Sequence, residues 1–384
     1  MALPLPHLFI RADAGAAIGL GHLMRCLALA HAWRDAGGRA TWLIAQPGDP
    51  IRRRIEAAGA TCVPLLAAHP DAGDGAAVLR AVEESQRDAP AGEPQPWLLI
   101  DGHAFDAEYL AAARGASRTL VIDDNGFLPR YDCDLLLNPN VGQSADKSVA
   151  GAIAYRTPAE TVRLLGPDYV LLRPEFSRWR GWRRETPSVA RRLLVTLGGS
   201  DPANVTPLVV RALSRLDLPE MEARVVAGPA HPRPAEVRAA VDEAARRLND
   251  CGSIELLSDP ADMPALMAWA DVCVTAAGSA CWELAFMGLP SLAIVVAENQ
   301  ILSVQAAERA GLLVNLGPHR LLDEERLAAT LGDLCRDPSA RGSLSMRGRA
   351  LVDGRGVERV LALLSGGANS LETPGASAAA GRGF

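Results

Sequence analysis

Short apolar runs alternate with amphipathic stretches along most of the chain. Leu8, Phe9 and Ile10 form the first run and enter a loop holding Gly15, Gly19 and Gly21. A helical pattern leaves that loop, with Leu23, Cys26, Leu27, Ala30 and Trp33 on one face. Further strands are expected at 40–45, 97–100, 119–122 and 135–137, with helices at 50–58, up to about 88, and at 107–114. A second series begins at 193–197 with a strand, a Gly-rich turn at 198–202 and a helix over 205–216. Strands at 223–227, 254–256, 272–275 and 291–295 follow. Such alternation predicts parallel βαβ units. The economical architecture is α/β, with two Rossmann-like domains facing across a cleft: residues 1–180 and 190–365. The Pro-, Trp- and Arg-rich stretch 166–185 joins them. Residues 320–364 are helix-rich, and the last helix is placed to pack back across the linker. A Gly/Ala/Ser-rich tail, 366–384, is expected to be disordered.

In open parallel sheets the ligand crevice lies at the carboxyl ends of the strands. Arg11, Asp13, Asp101, His103, Asp123, Asp124 and Asn138 fall at such ends. Gly19 and Gly21 let backbone approach a ligand, and the first helical turn after them favours an anion. His22 opens that helix.

The second half repeats this theme. Gly198-Gly199-Ser200 follows one strand. Gly278-Ser279 follows another and opens a helix bearing Glu283, while Asn299-Gln300 lies at a third strand end. Amides and hydroxyl at Gly278-Ser279 suit a diphosphate, and Glu283 is placed to accept hydrogen bonds from ribose hydroxyls.

Bulk properties narrow the partners. The 384 residues are 49% hydrophobic and 22% charged, with net charge −6, so no basic field argues for nucleic acid. Seven cysteines without a C-x-x-C pair argue against structural zinc and a disulfide framework. The N-terminus does not resemble a signal peptide, and no apolar run approaches ~20 residues, so a cytoplasmic protein is expected. Arg52, Arg53 and Arg54 fan around a helix as a solvated face. The 178–184 stretch has the Trp/Arg mix of a membrane surface but no long apolar face, so stable membrane association is not expected. Asp132-Cys133-Asp134 is taken as turn and strand rather than a cation site. No metal or cofactor is expected, and oligomeric state is open.

The motif A-G-S-A-C-W-E-L-A-x-x-G-L-P-S with Asn299-Gln300 resembles the UDP-binding half of MurG-like GT-B glycosyltransferases. The opening R-A-D-x-x-x-x-I-G-x-G-H-x-x-R-C-L-x-L-A is similar to the UDP-2,4-diacetamido-2,4,6-trideoxy-β-L-altropyranose hydrolases of the pseudaminic acid pathway. Ile122-Asp123-Asp124, L-L-R-P-E-F at 171–176 and G-G-S-D-P-x-N-x-T at 198–206 add to it, over roughly residues 8–315.

The resemblance implies a GT-B-like fold and a metal-independent hydrolase that releases UDP from a UDP-amino-sugar by water attack, with inversion. It implies that His22 is the catalytic base. Arg11, Asp13, Gly19, Gly21, His103, Asp123, Arg173, Asn299 and Gln300 would bind substrate. Gly198, Gly199, Ser200, Gly278, Ser279 and Glu283 would bind nucleotide. The family commonly has tyrosine where this chain has His103, which bears on the sugar accepted. The alternatives are a GT-B UDP-sugar-dependent glycosyltransferase and a non-catalytic sugar-nucleotide-binding protein.

Overall fold

The computed structural model describes residues 5–15, 18–90, 92–143, 152–228 and 231–366; beyond Gly366, the tail lies outside them. Among the described residues, thirteen strands form two sheets, with every strand pair parallel. The first holds β1 (Leu8–Ala12), β2 (Ala40–Ala45), β3 (Thr61–Leu65), β4 (Trp97–Asp101), β5 (Arg118–Ile122), β6 (Leu135–Asn138) and β7 (Val162–Leu165). The second holds β8 (Arg192–Thr196), β9 (Met221–Ala227), β10 (Gly252–Ser258), β11 (Val272–Ala276), β12 (Ser291–Val295) and β13 (Val314–Pro318).

Their orders are β3-β2-β1-β4-β5-β6-β7 and β10-β9-β8-β11-β12-β13. Strand order reverses beside β1 in one sheet and beside β8 in the other, and ligand crevices open at such points.

Central strands are apolar because both faces are covered. In β1, Leu8 and Ile10 pack with Leu23, Leu27 and Trp33 of the Gly21–Asp35 helix. Phe9, pointing the other way, packs with Val78, Val82 and Leu110. In β8, Leu193 and Val195 join Val209 and Val241, while Leu194 joins Met267 and Leu284.

The strands at 61–65, 162–165 and 314–318 are absent from the sequence-based expectation. All three are sheet edges, where one side meets no neighbour and polar residues are tolerated. β3 carries Pro64 and β13 ends on Pro318, and proline is accepted at edges.

The final helix, Gly356–Leu364, does cross back. Val360 and Leu364 enter the first sheet's core, and Trp97 Nε1 donates to the Leu364 carbonyl at 2.8 Å. Residues 356–364 thus pack on the first half, inside the span 190–365 expected to form the second domain.

Candidate active site

The loops at the carboxyl ends of both sheets enclose one cavity of about 360 Å³. The first half supplies Gly19, Gly21, His22, Arg25, His103, Asp124 and Asn140. The second supplies Gly198–Ser200, Gly278, Ser279, Glu283, Asn299 and Gln300, and Arg173 enters from the connection.

Gly19 adopts φ +86°, and its backbone exchanges hydrogen bonds with Gly15 at 3.2 and 2.7 Å, closing the opening loop. The helix that follows has no side-chain cap and no acidic residue in its first turn. The two halves meet here at backbone distance. A Cβ on Gly21 would stand 3.2 Å from Ser279 Oγ, and one on Gly199 would stand 2.4 Å from Leu20 Cδ1.

His22 is 8% exposed and its Nδ1 lies 2.6 Å from Asp101 Oδ1. Asp101 is fully buried at the end of β4. Burial alone would raise its carboxyl, but Arg25 first and His22 next outweigh this and hold it well below the usual carboxylate range. An ionised carboxylate only accepts, so His22 Nδ1 carries the proton that it donates. Neutral His22 therefore keeps its lone pair on Nε2.

Arg25 grips Asp101 through Nε (2.7 Å) and Nη2 (2.6 Å), and Asp124 through Nη1 (2.9 and 3.0 Å). His103 stands edge-on to His22, ring centroids 4.8 Å apart, and its Nε2 is 2.9 Å from Asn299 Nδ2 across the cleft. Burial and the neighbouring His22 lower the pKa of His103, which leaves a neutral ring able to accept from that amide.

Glu283 lines the cavity with its Oε1 accepting from Arg173 Nε at 3.1 Å. Burial pushes Glu283 up and Arg173 opposes it. Arg173 also donates to Glu175 at 2.6 Å. Gln300 lines the cavity and uses Oε1 to accept from the Val296 amide at 3.0 Å.

Three residues expected to touch substrate do not line the cavity. Arg11 is fully buried, and its guanidinium is saturated by Asp74 (3.0 Å from Nε) and Asp13 (2.6 Å from Nη1); Asp13 also accepts from the Ala45 amide at 2.9 Å. Asp123 accepts from the amides of Asn125 (3.0 Å) and Gly126 (2.7 Å) and from the hydroxyls of Tyr131 (2.9 Å) and Tyr155 (2.6 Å). These three brace the loops instead, because their partners, not solvent, satisfy their charge or lone pairs. Asp134 does the same, accepting from the Thr119 amide at 2.8 Å.

Asn140, and the pairing of Arg25 with Asp101 and Asp124 that sets Asp101 against His22, are additions from the structure. Arg25 was legible as a position of the opening motif, one turn after His22 on its helix face, but its partners were not.

The arrangement defines a class: two Rossmann-like domains with a shared cleft, the GT-B fold. Acinetobacter baumannii MurG superposes with a TM-score of 0.65 at 15% identity, covering 94% of this chain and 99% of that one. Arabidopsis thaliana UGT89C1, solved with UDP-L-rhamnose, gives 0.60 at 13% identity, covering 94% and 99%. At the level of sequence, residues 193–349 match the glycosyltransferase family 28 C-terminal domain. The chain is 31% identical to the spore coat polysaccharide biosynthesis protein SpsG of Bacillus subtilis (strain 168) over 203 residues, 52% of this chain and 57% of that protein. It spans little more than half the length of the curated relatives it matches. Among the described residues, no helix is long and apolar enough to cross a membrane.

Proposed function

We propose that this protein is a UDP-sugar hydrolase acting on a UDP-linked 2,4-diacetamido-2,4,6-trideoxy sugar, in nonulosonic (pseudaminic) acid biosynthesis. Residues 1–180 carry the catalytic loop and 190–365 hold UDP. The observation that carries this reading is the Asp101–His22 pair, set 2.6 Å apart at the lip of a cleft whose other wall bears Gly278, Ser279 and Glu283.

In the proposed step, His22 Nε2 takes a proton from water as the water oxygen bonds to the anomeric carbon. The bond from that carbon to the diphosphate oxygen breaks, and its electron pair leaves with UDP. Attack opposite the leaving group inverts the centre. Asp101 stabilises the imidazolium as it forms. UDP is a stable leaving group, so the base is the main requirement. Backbone amides near Gly19, Gly21 and Gly198–Ser200, with Ser279, would stabilise charge developing on the diphosphate. Glu283 would accept from the ribose hydroxyls once Arg173 yields an oxygen to them. His103, Asn299 and Gln300 would border the sugar.

The GT-B glycosyltransferase reading is kept because residues 193–349 match a glycosyltransferase domain. A hydroxyl acceptor would then replace water at the same base.

His22→Ala should fold, bind UDP and lose UDP release by roughly 10²–10⁴-fold, the usual contribution of a positioned base. Near-normal turnover in the folded variant would remove His22 from the mechanism.

A further inference from the structure

Asp123 and Asp124 are adjacent yet do opposite things. Asp123 is consumed by four donors behind the cavity wall. The Asp124 side chain keeps 22% exposure and lines the cavity. Its carboxylate is fixed by Arg25 Nη1 at 2.9 and 3.0 Å and by Asn140 Nδ2 at 3.4 Å. Two carboxylate oxygens offer about four acceptor sites, so a fixed carboxylate with these partners still has capacity facing the cavity.

Its position assigns it to a part of the ligand. Arg25 Nη2 stands 3.2 Å from His22 Nδ1 while Nη1 of the same guanidinium holds Asp124. Asp124 therefore lies one guanidinium width from the Nδ1 edge of the His22 ring, on the first half. Glu283 and Asp259, the other carboxylates lining the cavity, lie on the second half, and Asp259 is paired with Arg54.

The geometry points to Asp124 as the residue that recognises the sugar: its carboxylate accepts a hydrogen bond from a donor substituent of the ring, a hydroxyl or an acylamido N–H. This deepens the UDP-sugar reading and rests on it. Arg25 is less suited to the same work, because its Nε, Nη1 and Nη2 all already donate to Asp101 or Asp124. A ring position bearing only hydrogen would leave the desolvated carboxylate short of a partner, and a site built to bond a donor rejects an analogue lacking it.

The test compares affinities in a His22→Asn background, which keeps ligand from being consumed. UDP, UDP-glucose, UDP-N-acetylglucosamine and the UDP-2,4-diacetamido-2,4,6-trideoxy sugar are titrated calorimetrically, with and without Asp124→Ala. The Kd for UDP should stay within about twofold, while that for the best-bound UDP-sugar weakens about tenfold or more. A loss confined to the acetamido sugars identifies N–H as the donor; a loss shared by UDP-glucose identifies a hydroxyl. Asp124→Asn serves if the alanine variant melts early. Its amide oxygen can face Arg25, turning an N–H toward the sugar, so the same selective loss is expected for an acylamido N–H and a smaller one for a hydroxyl, which can also accept.

Equal changes for UDP and UDP-sugars, or none, would overturn the assignment while leaving the nucleotide site standing. Failure of the parent protein to bind UDP would overturn both.

Discussion

At the residue scale, the site turns on which nitrogen of His22 holds the proton. Asp101 fixes it on Nδ1, and Arg25 keeps Asp101 ionised and aimed. Asp101→Asn keeps the shape but can turn an amide N–H toward Nδ1, which moves the imidazole proton to Nε2 and blocks the base. We expect kcat to fall about 10²-fold or more with UDP affinity retained. A steady-state comparison that finds kcat within threefold of the parent would mean the pair is structural. His22 and the Gly19/Gly21 loop were legible because they lie in one continuous motif. The pairing of Arg25 with Asp101 and Asp124 was not, because those carboxylates are 76 and 99 residues away along the chain. Nor could sequence separate Asp123 from Asp124. Both follow β5, and only the placement of Tyr131, Tyr155 and Arg25 decides which one faces the cavity.

At the element scale, the buried strands were readable and the edges were not, since apolar continuity signals burial on both faces. β4, all buried, was found nearly whole; β7, with Arg163 in a four-residue strand, was not. Elements are also tied by polar side chains that no periodicity reveals. His7, just before β1, lies 2.9 Å from Thr41 Oγ1 of β2 and 2.9 Å from Ser85 Oγ of the Ala72–Arg87 helix. Burial, with help from Arg39 and against Glu93, lowers its pKa to about 4. The folded ring therefore binds fewer protons than the unfolded one between pH 4 and the ordinary histidine value of 6.5. Its contribution is present above that window and is lost as pH falls through it. Relative to His7→Gln, the parent should lose about 1 kcal/mol between pH 6.5 and 4, a linkage value reduced for solvent screening at a partly exposed ring. Denaturant melts of both proteins across that range check the sign; parallel curves would contradict it.

At the scale of the whole molecule, two α/β halves bring together loops that each carry only part of a site. Their contact is tight enough that glycine is required at Gly199, against the Leu20 side chain. Gly199→Ala should destabilise by about 1–3 kcal/mol, as overpacking does, or spread the halves and weaken UDP binding. Adding Leu20→Ala should recover much of that loss. A double variant no better than the single would show that the clash is not what matters. The return of Gly356–Leu364 onto the first core, anchored by Trp97, ties the second half back across the cleft-forming connection. That cleft is what the proposed chemistry needs: nucleotide on one wall, base and sugar recognition on the other.

The most direct measurement is time-resolved proton and phosphorus NMR of the protein with a panel of UDP-amino-sugars and no acceptor. The account predicts stoichiometric UDP and free reducing sugar from one member of the panel, with the inverted anomer appearing first. UDP-sugar that stays intact until a hydroxyl acceptor is added, or first release of the retained anomer, would contradict it.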